Sequence, residues 1–265
     1  MIDREHPSFD VPADDVVIWR YMDLARFMSL LQTGSLWLAR LDLLGDPHEG
    51  AFSYPTVQAR EVWVDSFLAL ARSNGAVAGP GREEMLAQLG TRKSTSVSVN
   101  CWHMNPNESA AMWRIYQQEG RGVAVRSTVG RLDAALRNDE KQPLYLGKVE
   151  YINYATTFIP DRNVFDPIVR KRLSFEYERE VRLVTMSPPT YVANTKDPDG
   201  PPAWDWEAPV PPGVSVPVDL EILVDTVYIA PDTQDWFAQV VKNVVTTTDI
   251  SCQVIRSSMD DSPLF

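Results

Sequence analysis

One stretch of the chain, KRLSFEYEREVRLV from Lys171 to Val184, constrains the fold more than any other. From Glu178 onward its pattern predicts a β-strand, in which successive side chains point to opposite faces. Two apolar side chains share one face and three charged side chains share the other: Val181 and Leu183, then Glu178, Glu180 and Arg182. Such a strand packs one face on a core and turns its charged face to solvent or to a cleft.

The charged face of this strand has two interpretations. On an exposed edge, ion pairs between such side chains contribute little. In a cleft, mutual repulsion would raise the pKa of one glutamate while Arg182 keeps the other ionised, which produces an acid/base group or an electrostatic stabiliser. Structural ion pairs give the same pattern, so both interpretations stay open. In the cleft case, neutralising Glu180 is expected to remove activity and to change stability little.

Composition narrows the class of protein. With 265 residues, 44% of them hydrophobic, the chain has ample material for a packed core. A net charge of -11 argues against duplex DNA or an anionic membrane as partner, although a local basic pocket for one nucleotide remains compatible with it. The N-terminus lacks the apolar region of a signal peptide, and no apolar run reaches the roughly 18 residues of a membrane span. We therefore expect a cytoplasmic protein with reduced cysteines.

The N-terminal third predicts strand, helix and strand in succession. Val16 to Arg20 is a short apolar strand, Asp23 is a helix N-cap, and Gly34 ends that helix. Ser35 to Leu41 then alternates as a second strand.

Further elements follow from periodicity and capping residues. Asn105-Pro106-Asn107-Glu108 predicts the start of a helix, because it offers an N-cap, a proline at the first position and a glutamate at the third. The other predicted strands are 94–102, 122–126, 144–154, 226–230 and 251–255, and the other predicted helices are 57–71, 82–89, 128–136 and 233–245.

The segment 187–217 holds nine of the 20 prolines, together with Trp204 and Trp206. Its prolines exclude regular structure throughout, so we expect an insertion that acts as a partly ordered lid. The whole pattern predicts one α+β domain over residues 1–265, with a central mixed or antiparallel sheet flanked by helices.

Several side chains outside the strand that begins at Glu178 are candidates for ligand binding. Arg20 and Arg40 each end an early strand and offer a guanidinium to a phosphate or carboxylate, or else simply reach solvent. Trp113 and Tyr116 are three apart on a helix and either stack on a flat ring or belong to the core. We predict no metal site, because His48 with Asp46 and Glu49, and Cys101 with His103, lack the usual paired ligand spacings.

Three segments, IWRYMDLARFMSLLQTGSLWLARLDLLGDPHEG, VNCWHMNPNESAAMWRIYQQEGRGVAVRST and FEYEREVRLV, resemble bacterial domain-of-unknown-function family 2971. The matching elements are Trp19 to Tyr21, Asp46-Pro47 with Glu49, Met112-Trp113 with Tyr116, Gly122-Val123, and Tyr177 to Arg182. The chain departs from the family pattern at Gly45, His48 and Ile115.

The order of these elements also looks like that of ADP-ribosyltransferase-like domains. The resemblance implies a bacterial ADP-ribosyltransferase-like or NAD-cleaving protein, such as a toxin or a phage-defence effector, with NAD as substrate. It implies that Arg20 binds the pyrophosphate or ribose and that Ser98 or Ser96 supports the pocket. Glu180 would stabilise the oxocarbenium-like transition state while Glu178 orients or deprotonates the acceptor. The remaining predicted nucleotide-binding residues are Arg40, Trp113, Tyr116 and Asp46.

The sequence alone leaves two alternative functions open. A metal-dependent nuclease would draw carboxylates from Asp46, Glu178 and Glu180, but Arg182 stands where such enzymes need a lysine. A non-catalytic nucleotide-binding module would use the same arginines and aromatic residues without a catalytic acid.

Overall fold

A mixed β-sheet organises the chain, and the computed structural model describes it over residues 2–74, 81–83, 86, 96–117, 121–136, 143–187, 191–192, 203–204 and 210–263. The strands are β1 Ile2–Asp3, β2 Val17–Asp23, β3 Ser35–Arg40, β4 Val97–Met104, β5 Gly122–Thr128, β6 Leu144–Lys148, β7 Glu150–Ile152, β8 Arg170–Arg172, β9 Glu180–Met186, β10 Tyr191–Val192, β11 Ala203–Trp204, β12 Gly213–Pro217, β13 Thr226–Ile229 and β14 Gln253–Arg256. The α-helices in this part of the chain are α1 Leu24–Thr33, α2 Tyr54–Ser73, α3 Ala110–Tyr116, α4 Val129–Ala135, α5 Leu220–Leu223 and α6 Asp235–Thr246, and Leu173–Glu178 is a 3-10 helix.

The sheet divides beside β4. Its strand order is β1-β6-β9-β4-β2-β5-β13-β14. On the edge of β4 that faces away from β9, Trp19 of β2 pairs with His103, whereas Ala39 of β3 pairs with Val99. Between these two pairings, neither β2 nor β3 continues the ladder, so the sheet opens. The pairs β1–β6 and β13–β14 are parallel and the remaining pairs of this sheet are antiparallel, which confirms the predicted α+β class with a mixed sheet.

The N-terminal elements form as predicted. The Asp23 side chain accepts a hydrogen bond from the Arg26 N–H at 2.8 Å, and Gly34 ends α1 with a left-handed φ of 56°. Glycine suits that position because a Cβ disfavours positive φ. Val181 and Leu183 of β9 belong to the main core, as their predicted face requires.

Several predicted boundaries differ from the observed ones, and three of the differences change the element to which a named residue belongs. The helix starts at Ala110 with Ser109 as its N-cap, because the Asn105 side chain instead accepts from the Asn107 N–H in a local turn. Glu178 ends the 3-10 helix and is not on β9; Arg179 follows it with a left-handed φ of 41°. The predicted strand 144–154 divides at Val149 into β6 and β7, which pair with different strands.

The proline-rich segment contributes one strand to the sheet, since β12 pairs with β3. Residues 193–202 and 205–209, on which the predicted lid depends, lie outside the described residues, as does most of the predicted helix 82–89. The lid stays a prediction. Within the described chain, no helix combines the length and the apolar character needed to cross a membrane.

Candidate functional site

A cavity of about 640 Å³ opens where the sheet divides. Five of the predicted site residues line it: Arg20, Asp46, Tyr116, Glu178 and Glu180. They come from β2, the turn after β3, α3, the 3-10 helix and β9, so residues far apart in sequence meet here. The strand pairing positions them, because β9 and β2 flank β4 on its two sides.

A buried ionic network forms one wall of the cavity, and Arg182 is its innermost member. Its side chain is completely inaccessible to solvent. Its Nε donates to Glu180 Oε2 at 2.6 Å, its Nη2 donates to Glu49 Oε1 at 3.0 Å, and its Nη1 donates to the Ile168 carbonyl at 2.7 Å. The guanidinium is therefore held on three sides, and it fixes the Glu180 carboxylate on β9.

Lys171 is the second cation of the network. Its Nζ lies 3.0 Å from Glu180 Oε1 and 3.2 Å from Glu49 Oε1, and it also donates to Glu178 Oε2. Three carboxylates thus surround one ammonium group. With all five groups ionised the network has one excess negative charge, since it holds three carboxylates and two cations.

The network separates the pKa values of its two cavity-lining glutamates. Burial raises the pKa of Glu178, and the adjacent Glu180 raises it further, to about 7. Burial acts in the same direction on Glu180, but the charges of Arg182 and Lys171 outweigh it and lower the pKa of Glu180. Glu180 is therefore ionised at neutral pH, whereas Glu178 titrates near neutral pH. This division is the one that the cleft interpretation of the sequence predicted.

Arg20 supplies positive charge elsewhere in the cavity. Its Nη1 donates to the Cys101 carbonyl at 2.6 Å, on the stretch of β4 where neither β2 nor β3 pairs with the edge that faces away from β9. Burial lowers its pKa, yet an arginine keeps its charge in proteins. Among the described residues, no carboxylate forms an ion pair with Arg20, so its remaining N–H groups are available to an anionic ligand.

Tyr116 and Trp113 diverge although they lie on the same helix. Tyr116 lines the cavity, and burial raises its pKa to about 12. Trp113 is 1% exposed, donates from Nε1 to Glu108 Oε2 at 2.9 Å and packs edge-on against Tyr21. The prediction that Trp113 stacks on a ligand is therefore wrong, because its indole belongs to the core.

Arg40 and Ser98 also lie outside the described lining of the cavity. The Arg40 guanidinium pairs with Asp42 at 2.6 Å and donates to the Val210 carbonyl at 2.7 Å. Ser98 is buried on β4, and alternation places it opposite Val99 and Cys101, which line the cavity. The apolar-looking face of this strand, and not its polar face, is turned to the site.

Sequence reasoning assigned no role to Lys171. It considered His103 only as a metal-ligand type, and Glu49 as such a type and as part of the family 2971 pattern. Lys171 is the first residue of the stretch from Lys171 to Val184. A lysine seven residues before the Glu-x-Glu pair was the sequence signal that could have pointed to it. Glu49 sits in the Gly45–Gly50 turn, whose two end glycines have positive φ and let the turn fold back on Arg182.

The nuclease alternative needs carboxylates that are open to a metal ion, and two of its three candidates, Glu178 and Glu180, contact Lys171. Within the described ranges, no group of three or more histidine, cysteine, aspartate or glutamate side chains is arranged to hold a metal ion. Between Glu49, Glu178 and Glu180, the Lys171 ammonium occupies the place that a cation would take.

Comparisons with known proteins add little to this geometry. No family model matches the chain, and no curated protein sequence matches it significantly. Solved structures of Thermus sp. 2.9 DarT align with it. The complex with carba-NAD+ is 9% identical, with a TM-score of 0.39, and the alignment covers 94% of this chain and 98% of that chain. The complex with NAD+ is 7% identical, with a TM-score of 0.38, and the alignment covers 93% of this chain and 98% of that chain. The complex with ADP-ribosylated ssDNA is 8% identical, with a TM-score of 0.39, and the alignment covers 95% of this chain and 98% of that chain. TM-scores this low carry no argument about activity, and the resemblance to family 2971 stays a prediction.

Proposed function

We propose that the cavity binds NAD and cleaves the bond between nicotinamide and ribose, releasing ADP-ribose to water or to an acceptor. One observation supports this most directly: an ionised Glu180 and a Glu178 with a raised pKa lie side by side in a cavity that also holds Arg20, which pairs with no carboxylate among the described residues. The cavity volume falls within the range of about 300–1,000 Å³ that small-molecule and cofactor sites occupy.

The two glutamates have different tasks in this proposal. Cleavage of the glycosidic bond moves its electron pair to nicotinamide and leaves positive charge on the ribose, which a fixed carboxylate stabilises. Glu180 is held by Arg182 and Lys171, but each carboxylate oxygen has a second lone pair that can accept from a ribose hydroxyl. The Glu178 side chain is 14% exposed, compared with 9% for Glu180 and 2% for Glu49. Glu178 is therefore the carboxylate best placed to take a proton from the attacking nucleophile.

Arg20 would bind the diphosphate of NAD. Its guanidinium has donors free for bidentate contact with a phosphate, and no described carboxylate competes for them. Tyr116 lines the same cavity as Arg20, Glu178 and Glu180, and the charges of all three act on its pKa.

The experiment is to incubate the purified protein with NAD and to measure free nicotinamide. We expect release by the wild type and a loss on the order of 10²–10³-fold in kcat for Glu180→Gln. Glu176→Gln is a matched control, because Glu176 lies on the same 3-10 helix, is exposed and is outside the described lining of this cavity. Absence of release by the wild type, or equal losses in Glu176→Gln and Glu180→Gln, would overturn the proposal.

A second candidate is a nucleotide-binding module without turnover. It is favoured by one observation: both Glu180 oxygens are already engaged in ion pairs, as in a structural network. In that case NAD would raise the thermal midpoint of the protein, Arg20→Met would abolish the increase, and no nicotinamide would appear.

The role of a toxin or phage-defence effector would follow from turnover in the cell. Expression of the wild type in bacteria is then expected to deplete NAD and slow growth, whereas Glu180→Gln does neither. Depletion of NAD by both proteins would contradict this role for the cavity.

A further inference from the structure

His103 is a buried histidine in the cavity wall that the proposed chemistry does not use. It lies on β4 directly opposite Glu180 of β9, and it is 3% exposed. Its Nδ1 is 2.6 Å from the carbonyl oxygen of Glu178. Since a carbonyl oxygen only accepts hydrogen bonds, Nδ1 carries a proton.

A second hydrogen bond fixes the other ring nitrogen. His103 Nε2 lies 3.3 Å from Asn105 Nδ2, while Asn105 Oδ1 accepts from the Asn107 N–H at 3.2 Å. The contact to Asn107 orients the Asn105 amide, so its NH2 group faces the ring and Nε2 must accept. The two bonds together select one neutral tautomer, with the proton on Nδ1.

The Glu178 backbone needs such a restraint. Glu178 ends a 3-10 helix, and the next residue, Arg179, has a φ of 41°, which side-chain sterics disfavour. The end of β4 holds this turn at two successive carbonyls: His103 Nδ1 binds that of Glu178, and the Met104 N–H donates to that of Arg179 at 2.9 Å. Without the first bond, the Glu178 side chain would lose its fixed approach to Glu180 and Lys171.

We propose that His103 is a positioning residue, which as the neutral Nδ1-protonated tautomer holds the Glu178 backbone and so places its carboxylate beside Glu180 and Lys171. The catalytic consequence of this inference rests on the proposed function, whereas the restraint itself does not. The ring contacts the backbone carbonyl of Glu178, the charge of Arg179 acts on it, Glu180 is its pairing partner on β9, and the Tyr21 ring of β2 lies edge-on at 6.0 Å. Burial lowers the pKa of His103, consistent with a neutral ring.

The first test is made on the wild-type protein, and a variant serves only to assign the signal. The protein has three histidines, and nitrogen NMR of histidine-labelled wild type at pH 7.5 distinguishes the tautomers, with the His103→Asn spectrum assigning the signal. We expect a neutral ring protonated at Nδ1. A ring protonated at Nε2 alone, or a doubly protonated ring, would overturn the inference.

The second test uses a matched pair of variants. His103→Asn keeps an N–H donor close to the place of Nδ1, and His103→Leu removes it at similar size. Carbon NMR of labelled glutamate follows the titration of Glu178, whose pKa is raised to about 7 in the native arrangement. We expect the raised midpoint in the wild type and in His103→Asn, and a fall toward the ordinary glutamate range in His103→Leu. An unchanged midpoint in folded His103→Leu would refute the positioning role.

Nicotinamide release gives the third readout. A displaced carboxylate is expected to lower kcat on the order of 10²-fold in His103→Leu with KM little changed, and His103→Asn is expected to restore most of it. If the wild type releases no nicotinamide but the tautomer and the Glu178 titration are as expected, the proposed function fails and the positioning role stands. If release is normal in His103→Leu and the titration is unchanged, the positioning role fails alone.

Discussion

Glu180→Gln tests the ionic network more directly than any other substitution. The change keeps the size of the side chain and removes the charge that holds Arg182 Nε at 2.6 Å and Lys171 Nζ at 3.0 Å. Removing one partner of a buried ion pair typically costs about 3–5 kcal/mol, because the other charge stays buried. Here the lower end applies, since Glu49 still contacts both cations. At about 2–4 °C per kcal/mol for a chain of roughly this size, we expect the thermal midpoint to fall by about 6–12 °C.

This expectation differs from the one based on the sequence. An acidic pair alone predicts that neutralising Glu180 relieves repulsion and leaves stability nearly unchanged. The structure adds Lys171 and the fully buried Arg182 to the pair, so loss of Glu180 leaves cations without a partner. The pKa of Glu178 should also fall in Glu180→Gln, because the neighbouring carboxylate that helps to raise it has become neutral.

The assay is thermal unfolding at pH 7.5 and low salt, followed by circular dichroism, with nicotinamide release measured in parallel. Glu176→Gln is the control and is expected to melt within about 2 °C of the wild type, because surface substitutions usually change stability by less than about 0.5 kcal/mol. A Glu180→Gln midpoint equal to that of the control would show that the network does not hold Arg182, and the argument from burial would be wrong.

Three further predictions follow from single contacts. Glu178 has a pKa of about 7 in the folded protein, above its ordinary value of 4.5, so its contribution to stability is lost as pH rises between these values. Glu178→Gln should therefore gain stability relative to the wild type as pH rises through that window. Parallel plots of unfolding free energy against pH for the two proteins, from pH 4.5 to 8, would disprove this. Arg20→Met should raise the KM for NAD at least about tenfold with a smaller change in kcat, since a hydrogen bond to a charged group contributes about 1.5–3 kcal/mol. An unchanged KM would exclude Arg20 from NAD binding. Asp23→Ala should cost about 1 kcal/mol in denaturant unfolding through loss of the α1 cap, whereas Asp23→Asn should retain most of it; equal losses in both would point away from capping.

Much of the fold follows from local sequence rules. Strand β2, helix α1 with its Asp23 and Gly34 caps, and strand β3 are determined by side-chain alternation, helical spacing and capping, which act over a few residues. The same rules place Val181 and Leu183 on the core face of β9 and leave Glu180 and Arg182 on the other. They fail at Asn105, because the same side chain can cap a helix or close a local turn and its neighbours decide between these.

The site depends on contacts that local rules do not contain. Whether Glu180 faces solvent or a cavity was open in the sequence, and it is settled by Glu49 and Lys171, which are 131 and 9 residues away from it. Ser98 and Trp113 have suitable chemistry for a site, yet strand facing and core packing turn them away from the cavity. Residue type and periodicity specify which face of an element is polar. The charges, hydrogen bonds and pKa values on that face come from groups that only the pairing of distant strands brings within a few ångströms, where burial strengthens their interaction.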